Sequence, residues 1–254
     1  MRVRTVAPNR PRALAPTPAV ARWQRAMRQA GVVLRPEVSA AFPPGFFDRV
    51  DAAADSRFYG PPRFVTHIDD EAIAAVGQLY EDLGLDGTAP RPVRVLDLMS
   101  SWVSHLRVAP AELVVLGMNA AELAANPMAT EQVVQDLNLD PVLPFGDASF
   151  DGVVCCVSID YLTRPVDVLS EAARVLRPGS PLVITFSNRC FPTKAIRGWL
   201  ATDDAGRCAT VGEYIRLAGG FDEPELSLRT PPGRFAGGNY RGDPLYAIVA
   251  RRAK

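Results

Sequence analysis

The sequence predicts a doubly wound α/β domain, a mostly parallel seven-stranded sheet with helices on both faces. Three observations predict it. From Thr66 onward, short apolar runs alternate with segments of helical periodicity. Residues 152–159 read as an apolar strand, the pattern of a strand buried on both faces. No helix fits residues 231–244, which are rich in Gly and Pro. A parallel pair needs a crossover, so the two strands flanking that linker must be antiparallel. An antiparallel final strand is therefore expected at one end of the sheet.

The elements follow in order. Thr66-His67-Ile68-Asp69 reads as a helix start with a hydroxyl cap and acids in the first turn. Ile73, Val76, Tyr80 and Leu83 then keep helical spacing, and Gly84 and Gly87 close the segment. Residues 93–98 and 112–116 are the first two strands. Residues 119–125 are helical and stop at Asn126-Pro127. Residues 132–137 and 152–159 are the third and fourth strands. Thr163 caps a helix that carries Pro165 in its first turn and runs to Leu176. After the turn Arg177-Pro178-Gly179-Ser180 comes the fifth strand, 182–186. A helix over 211–218 closes at Gly219-Gly220, and strands over 225–229 and 245–250 finish the chain.

Two segments precede this domain, which the reading places at 67–254. Residues 1–36 hold eight of the 28 basic residues and none of the 28 acidic ones, so the remainder carries a formal charge of −8. Such an Arg-rich, acid-free leader reads either as an organelle transit peptide or as a plain basic tail. The protein is accordingly expected to be intracellular: in a plastid or mitochondrion if the leader is an address, cytoplasmic otherwise. Residues 37–66 form an arm rich in Pro and aromatics, with Phe58, Tyr59 and Phe64 among them, that acts as a lid or packs on the domain.

Composition narrows the function. The 254 residues suit one α/β domain, and 48% hydrophobic with 22% charged residues is ordinary for a globular chain. A formal net charge of zero excludes a nucleic-acid scaffold built on bulk charge. No apolar run is long enough to span a membrane, and no secretory segment is visible. Cys155, Cys156, Cys190 and Cys208 form no C-x-x-C pair, and the two histidines, His67 and His105, share no metal-ligand spacing. Reduced thiols and no metal are expected.

Residues 143–151, Leu-Pro-Phe-Gly-Asp-Ala-Ser-Phe-Asp, lead into the fourth strand, and Glu171-Ala172-Ala173-Arg174-Val175-Leu176-Arg177-Pro178-Gly179 closes the following helix. In these strings, and in the order of elements over residues 68–252, the chain resembles class I S-adenosylmethionine-dependent methyltransferases of the type 11 group. The resemblance implies a cofactor, S-adenosylmethionine, at the carboxyl ends of strands one to four. It assigns Asp97 to the cofactor amine, Asp136 to the adenine amino group and Leu137 to the adenine ring. Two positions depart from the family. Its glycine-rich turn after strand one is filled here by Met99, Ser101 and Val103, and its ribose-binding acid after strand two is replaced by Asn119. A side chain takes cofactor space and resists positive φ.

Two readings follow. In the first the chain is a methyltransferase. Ser100 and Ser101 donate to the cofactor carboxylate, Trp102 stacks on the cofactor or walls the pocket, and Asn119 bonds the ribose. Methyl transfer is in-line, and Asp160, Tyr161 and His67 face the acceptor with His67 as base. Tyr59 and Asp69 come from the flank that closes over it, and Arg189 and Lys194 either hold an anionic acceptor or cover a helix start. The acceptor is expected to be a small molecule, because the folded part is acidic. In the second reading the chain is a non-catalytic relative with a degenerate cofactor site that binds a protein or another ligand. A nicotinamide enzyme and a phosphate-loop enzyme lack their motifs here. Oligomeric state is not legible.

Overall fold

A computed structural model describes residues 38, 41–229, 235–236, 239–240 and 242–254. The basic leader lies outside the described residues. The chain divides into two compact units, residues 1–44 and 45–254. In the first, the Phe42 amide donates to Val38 O at 2.8 Å. The second holds the α/β domain together with residues 45–66 of the arm.

In chain order the second unit contains α1 (Asp55–Tyr59), α2 (Asp70–Asp82), β1 (Arg94–Leu98), β2 (Glu112–Gly117), α3 (Ala120–Ala124), β3 (Glu131–Val134) and β4 (Gly152–Cys156). Then come α4 (Pro165–Val175), β5 (Pro181–Phe186), α5 (Arg197–Leu200), α6 (Asp204–Ala218), β6 (Glu225–Leu228), β7 (Phe235–Ala236), β8 (Asn239–Tyr240) and β9 (Tyr246–Arg251). The main sheet has seven strands in the order β3-β2-β1-β4-β5-β9-β6. Only β9 runs against the others, and it pairs with both β5 and β6. The antiparallel final strand is thus present, but it lies inside the sheet and β6 takes the edge. Burial explains the placement: the first five residues of β9 are buried or half-buried, whereas Glu225, Leu226 and Leu228 of β6 are exposed. The more apolar strand takes the two-sided position. Within the linker, β7 and β8 pair as a small hairpin where a loop was expected.

One face of the sheet is covered by α2. Its Ala72, Val76, Leu79 and Tyr80 pack with Val95, Leu113, Val115, Val154 and Val183 in one core cluster. The alternate residues Leu96, Val114, Val153 and Ile184 are equally buried and point the other way, where α4 and α6 pack together and α6 meets β9.

Helix starts differ from expectation in three places. Asp69, not Thr66, caps α2, accepting from Ala72 N at 2.9 Å. A carboxylate there also faces the positive end of the helix. Thr163 caps nothing and bonds Asn138, while α4 begins at Pro165 without a side-chain cap. Helix α6 begins at Asp204, under an Asp203 cap, because its polar first turns show no apolar period.

Candidate functional site

The carboxyl ends of β1, β2 and β4 and the loop after β3 open into one cavity, roofed by residues 55–67 of the arm. The floor is set by β1 and β2. Gly117 ends β2 so close to the loop after β1 that a Cβ there would lie 2.3 Å from Ser100 O. The Ser100 amide donates to Leu116 O at 2.8 Å. Met99 stands where the family has its first glycine and adopts φ 56°, the left-handed region. The backbone therefore keeps a glycine-type turn without the glycine, and strain is carried locally. Val157 at φ 45° and His105 at φ 55° line the same cavity.

Asp97 is buried at the end of β1 and accepts from Ser100 Oγ at 2.6 Å. Burial pushes its carboxyl up to about 6, with Ser100 and Ser104 opposing the rise. Ser100 is thus turned toward Asp97, and Ser101 Oγ donates to Glu122 Oε2 at 2.6 Å. The Trp102 indole N–H donates to Val65 O at 3.1 Å, and its ring meets Phe64 edge-on, so it walls the cavity and ties the arm. Asn119 caps α3, accepting from the Ala121 and Glu122 amides, while its Nδ2 donates to Tyr59 O at 2.9 Å and Gly60 O at 2.8 Å. All four hydrogen bonds of the amide are used. In this arrangement Asn119, expected at the ribose, clips the arm to the end of β2.

Past β3, Asp136 is half-buried beside the buried Leu137. Its Oδ1 accepts from Asn138 N at 2.9 Å, which leaves Oδ2 without a hydrogen bond among the described residues. Asn138 joins three segments: it donates to Asp55 Oδ2 and Tyr161 O and accepts from Thr163.

At the other end of the cavity stand Tyr59, His67, Tyr161 and Phe191. Tyr161 lies 5.9 Å from Phe191, ring centre to ring centre, and its hydroxyl accepts from Phe191 N at 2.8 Å. His67 meets Phe191 edge-on at 5.3 Å. The Tyr59 hydroxyl is buried without a partner, and burial, Asp55 and Asp160 raise its pKa. Desolvation holds the His67 imidazole below its ordinary value, and burial drives His105 down to about 4. Both rings are therefore neutral near pH 7. Asp160 does not line this cavity. It is buried behind Tyr161, and burial pushes it up to about 8. The Cys156 thiol, on the cavity wall, is pushed up to about 12 by burial and stays protonated.

Arg189 and Lys194, after β5, are both ion-paired, and Arg189 also lines the cavity. The Lys194 side chain is fully buried, contacting Asp55 Oδ1 and Asp51 Oδ2 at 3.0 Å each. Arg189 pairs with Asp243 at 2.7 Å, and Asp243 and Asp69 each accept the other's backbone N–H at a carboxylate oxygen. Of the site residues read from sequence, the structure gathers Asp97, Ser100, Ser101, Trp102, Asn119, Asp136, Leu137, Tyr161 and His67 around one space and leaves out Asp160. Sequence reasoning missed Glu122 and Asn138. Asn119-x-x-Glu122 has the spacing of a capping box, which was the one local signal for Glu122. Among the described residues no His, Cys, Asp and Glu cluster suits a metal, and no helix is long and apolar enough to cross a membrane.

The chain is similar to known proteins in sequence and in fold. Residues 100–184 match a family described as a methyltransferase domain. A ubiquinone/menaquinone biosynthesis C-methyltransferase of Dinoroseobacter shibae is 33% identical over 129 residues, 46% of this chain and 52% of the relative. An O-methyltransferase of Aspergillus sclerotiorum is 28% identical over 122 residues, 48% of this chain and 44% of the relative. The chain spans about half the length of the curated relatives it matches. Among solved structures, a [4+2]-cyclase, SpnF, aligns with TM-score 0.51 and 17% identity over 78% of this chain and 91% of its own. An S-adenosylmethionine-dependent methyltransferase of Archaeoglobus fulgidus aligns with TM-score 0.51 and 15% identity over 72% and 95%. At these identities the structures establish the fold.

Proposed function

We propose that this chain is a class I S-adenosylmethionine-dependent methyltransferase and that it transfers a methyl group to a small planar acceptor held under its arm. The observation that carries this reading is the continuity of one cavity. It runs from Asp136 and Leu137, past Asp97, to the aromatic end at Tyr59, Tyr161 and Phe191. S-adenosylmethionine, when bound, supplies an electrophilic methyl carbon on a sulfonium sulfur.

The residues present fit that cofactor at its two ends. Asp136 Oδ2 is free to accept the adenine amino group, and Leu137 offers an apolar surface to the ring. The buried Asp97 carboxyl has no ion-pair partner among the described residues, so the cofactor ammonium is its natural counter-charge. The chain's own work is alignment and water exclusion. The arm closes the cavity, Tyr161 and Phe191 flank a flat acceptor, and Tyr59 Oη donates to an acceptor oxygen. The neutral His67 imidazole takes the acceptor's proton. A ring acceptor agrees with the quinone-pathway C-methyltransferases among the relatives.

Two observations favour the rival reading, a fold used without methyl transfer. Asn119 is spent on the arm, and a [4+2]-cyclase shares the fold. The deciding measurement is a thermal scan with S-adenosylhomocysteine. A ligand at ~100 times its Kd stabilises the native state by about 2.7 kcal/mol, and the melting temperature should rise accordingly. Asp136→Ala should reduce the shift. A wild-type protein whose melting temperature ignores millimolar ligand would sink the methyltransferase reading.

A further inference from the structure

Asn119 leaves a question at the middle of the cofactor. The family's ribose acid is missing, and the residue in its place has no hydrogen-bonding capacity left. Another carboxylate reaches the cavity from the same strand–helix junction. Glu122 lies one turn further on, in the first turn of α3, half-buried and on the cavity wall. Its two oxygens are held apart by different partners: Oε1 accepts from Arg63 N and Oε2 from Ser101 Oγ, each at 2.6 Å. A carboxylate has about four lone-pair sites, so each oxygen retains one. Two oxygens with one open site each match a vicinal diol. Its neighbours also fit: Ser101 is in the loop after β1 and Arg63 is in the arm.

We propose that Glu122 is the ribose-binding acid of this chain, displaced by one helical turn from the family position because Asn119 was committed to holding the arm. The inference rests on the methyltransferase reading above. It makes Glu122 a cofactor-binding residue that also ties the arm, through Arg63 N, to the loop after β1, through Ser101. Binding of the ribose and closure of the arm then share one side chain.

Calorimetric titration of the full chain tests it with two probes, S-adenosylhomocysteine and its 2′,3′-dideoxyribose analogue. Hydrogen bonds to a charged group make the wild type bind the dideoxy analogue roughly 10- to 100-fold more weakly. In Glu122→Gln the affinity for S-adenosylhomocysteine falls by about tenfold or more, and the ratio between the two probes shrinks toward one. Asp136→Ala weakens both probes by the same factor and keeps the wild-type ratio, because it acts at the adenine end. A less stable variant also lowers both affinities alike, so the ratio reports the contact even if folding suffers. If Glu122→Gln does not fold, Glu122→Asp is titrated instead, and its ratio must fall below that of the wild type. A wild-type ratio in the Glu122 variant overturns this assignment and leaves the methyltransferase reading standing. A wild type that binds neither probe overturns both.

Discussion

At the scale of single residues, several side chains around the cavity are committed to the arm or to one another. Asn119 shows this most directly. Restoring an acid with Asn119→Asp would place a carboxylate against Tyr59 O and Gly60 O and remove both donors to them. The expected cost is about 2 kcal/mol in chemical denaturation, with no gain in S-adenosylhomocysteine affinity by calorimetry. A tighter-binding, equally stable variant would contradict the clip assigned to Asn119. Met99 offers the opposite case. Its φ of 56° belongs to glycine, so Met99→Gly should leave stability unchanged or raise it by up to about 1 kcal/mol. Met-to-Gly at an ordinary exposed position lowers stability instead, and the urea midpoint distinguishes the two. Asp160 makes a pH-dependent prediction. Its folded pKa, about 8, lies above its ordinary 3.8. Protonated Asp160 thus favours the fold: its contribution is full below about pH 4 and is lost as pH rises through about 8. Asp160→Asn should flatten the stability profile across that window and be most stabilising, relative to wild type, near pH 8–9 in thermal scans. An unchanged difference between the two proteins from pH 5 to pH 9 would refute the shift. None of these roles was legible locally. Sequence supplied the residue types at 97, 119 and 136, but the partners of Asn119 are Tyr59 and Gly60, 60 and 59 positions away.

At the scale of elements, the arm and the segment after β5 depend on each other. The Arg49 side chain makes two 2.7 Å contacts to Asp55, Lys194 adds another, and Asn138 a fourth. Burial pushes Asp55 up, but Arg49, Asn138 and Lys194 more than offset it and hold its carboxyl below the ordinary range. The backbone repeats the pairing, with Asp51 N on Thr193 O and Arg197 N on Asp48 O. Lys194→Ala removes a fully buried cation that pairs with the buried Asp55 and the partly exposed Asp51, and should cost about 3 kcal/mol by urea denaturation. Lys194→Met, which keeps the apolar stem, should cost less. Equal stability of wild type and Lys194→Ala would show that the network holds nothing. Helical and strand periods were readable in most of these elements, since period 3.6 and period 2 leave their mark in one sequence window. Where the pattern was polar, as in the opening turns of α6, the boundary was not readable. Caps fell to Asp69 and Asp203, because the side chain that reaches an amide depends on a local turn and not on residue type alone.

At the scale of the whole molecule, the sheet brings the ends of β1, β2 and β4 to one edge, and the loop after β3 and the arm complete a cavity there. The thermal scan with S-adenosylhomocysteine belongs to this scale, because it asks whether the assembled cavity binds as a unit. The sequence by itself determined the class of fold, the parallel strands, the antiparallel final strand and the acids at 97 and 136. Those features follow from apolar periodicity and from short strings such as 143–151 and 171–179, which act over neighbouring residues. Only the tertiary structure decided that β9 enters between β5 and β6, that Met99 takes a glycine's conformation, that Asp160 turns away from the cavity, and that Glu122 rather than Asn119 offers open carboxylate sites. Each of those outcomes is set by contacts between segments distant in the chain. Burial and hydrogen-bond satisfaction select among them, and no local pattern encodes which distant partner a side chain will meet.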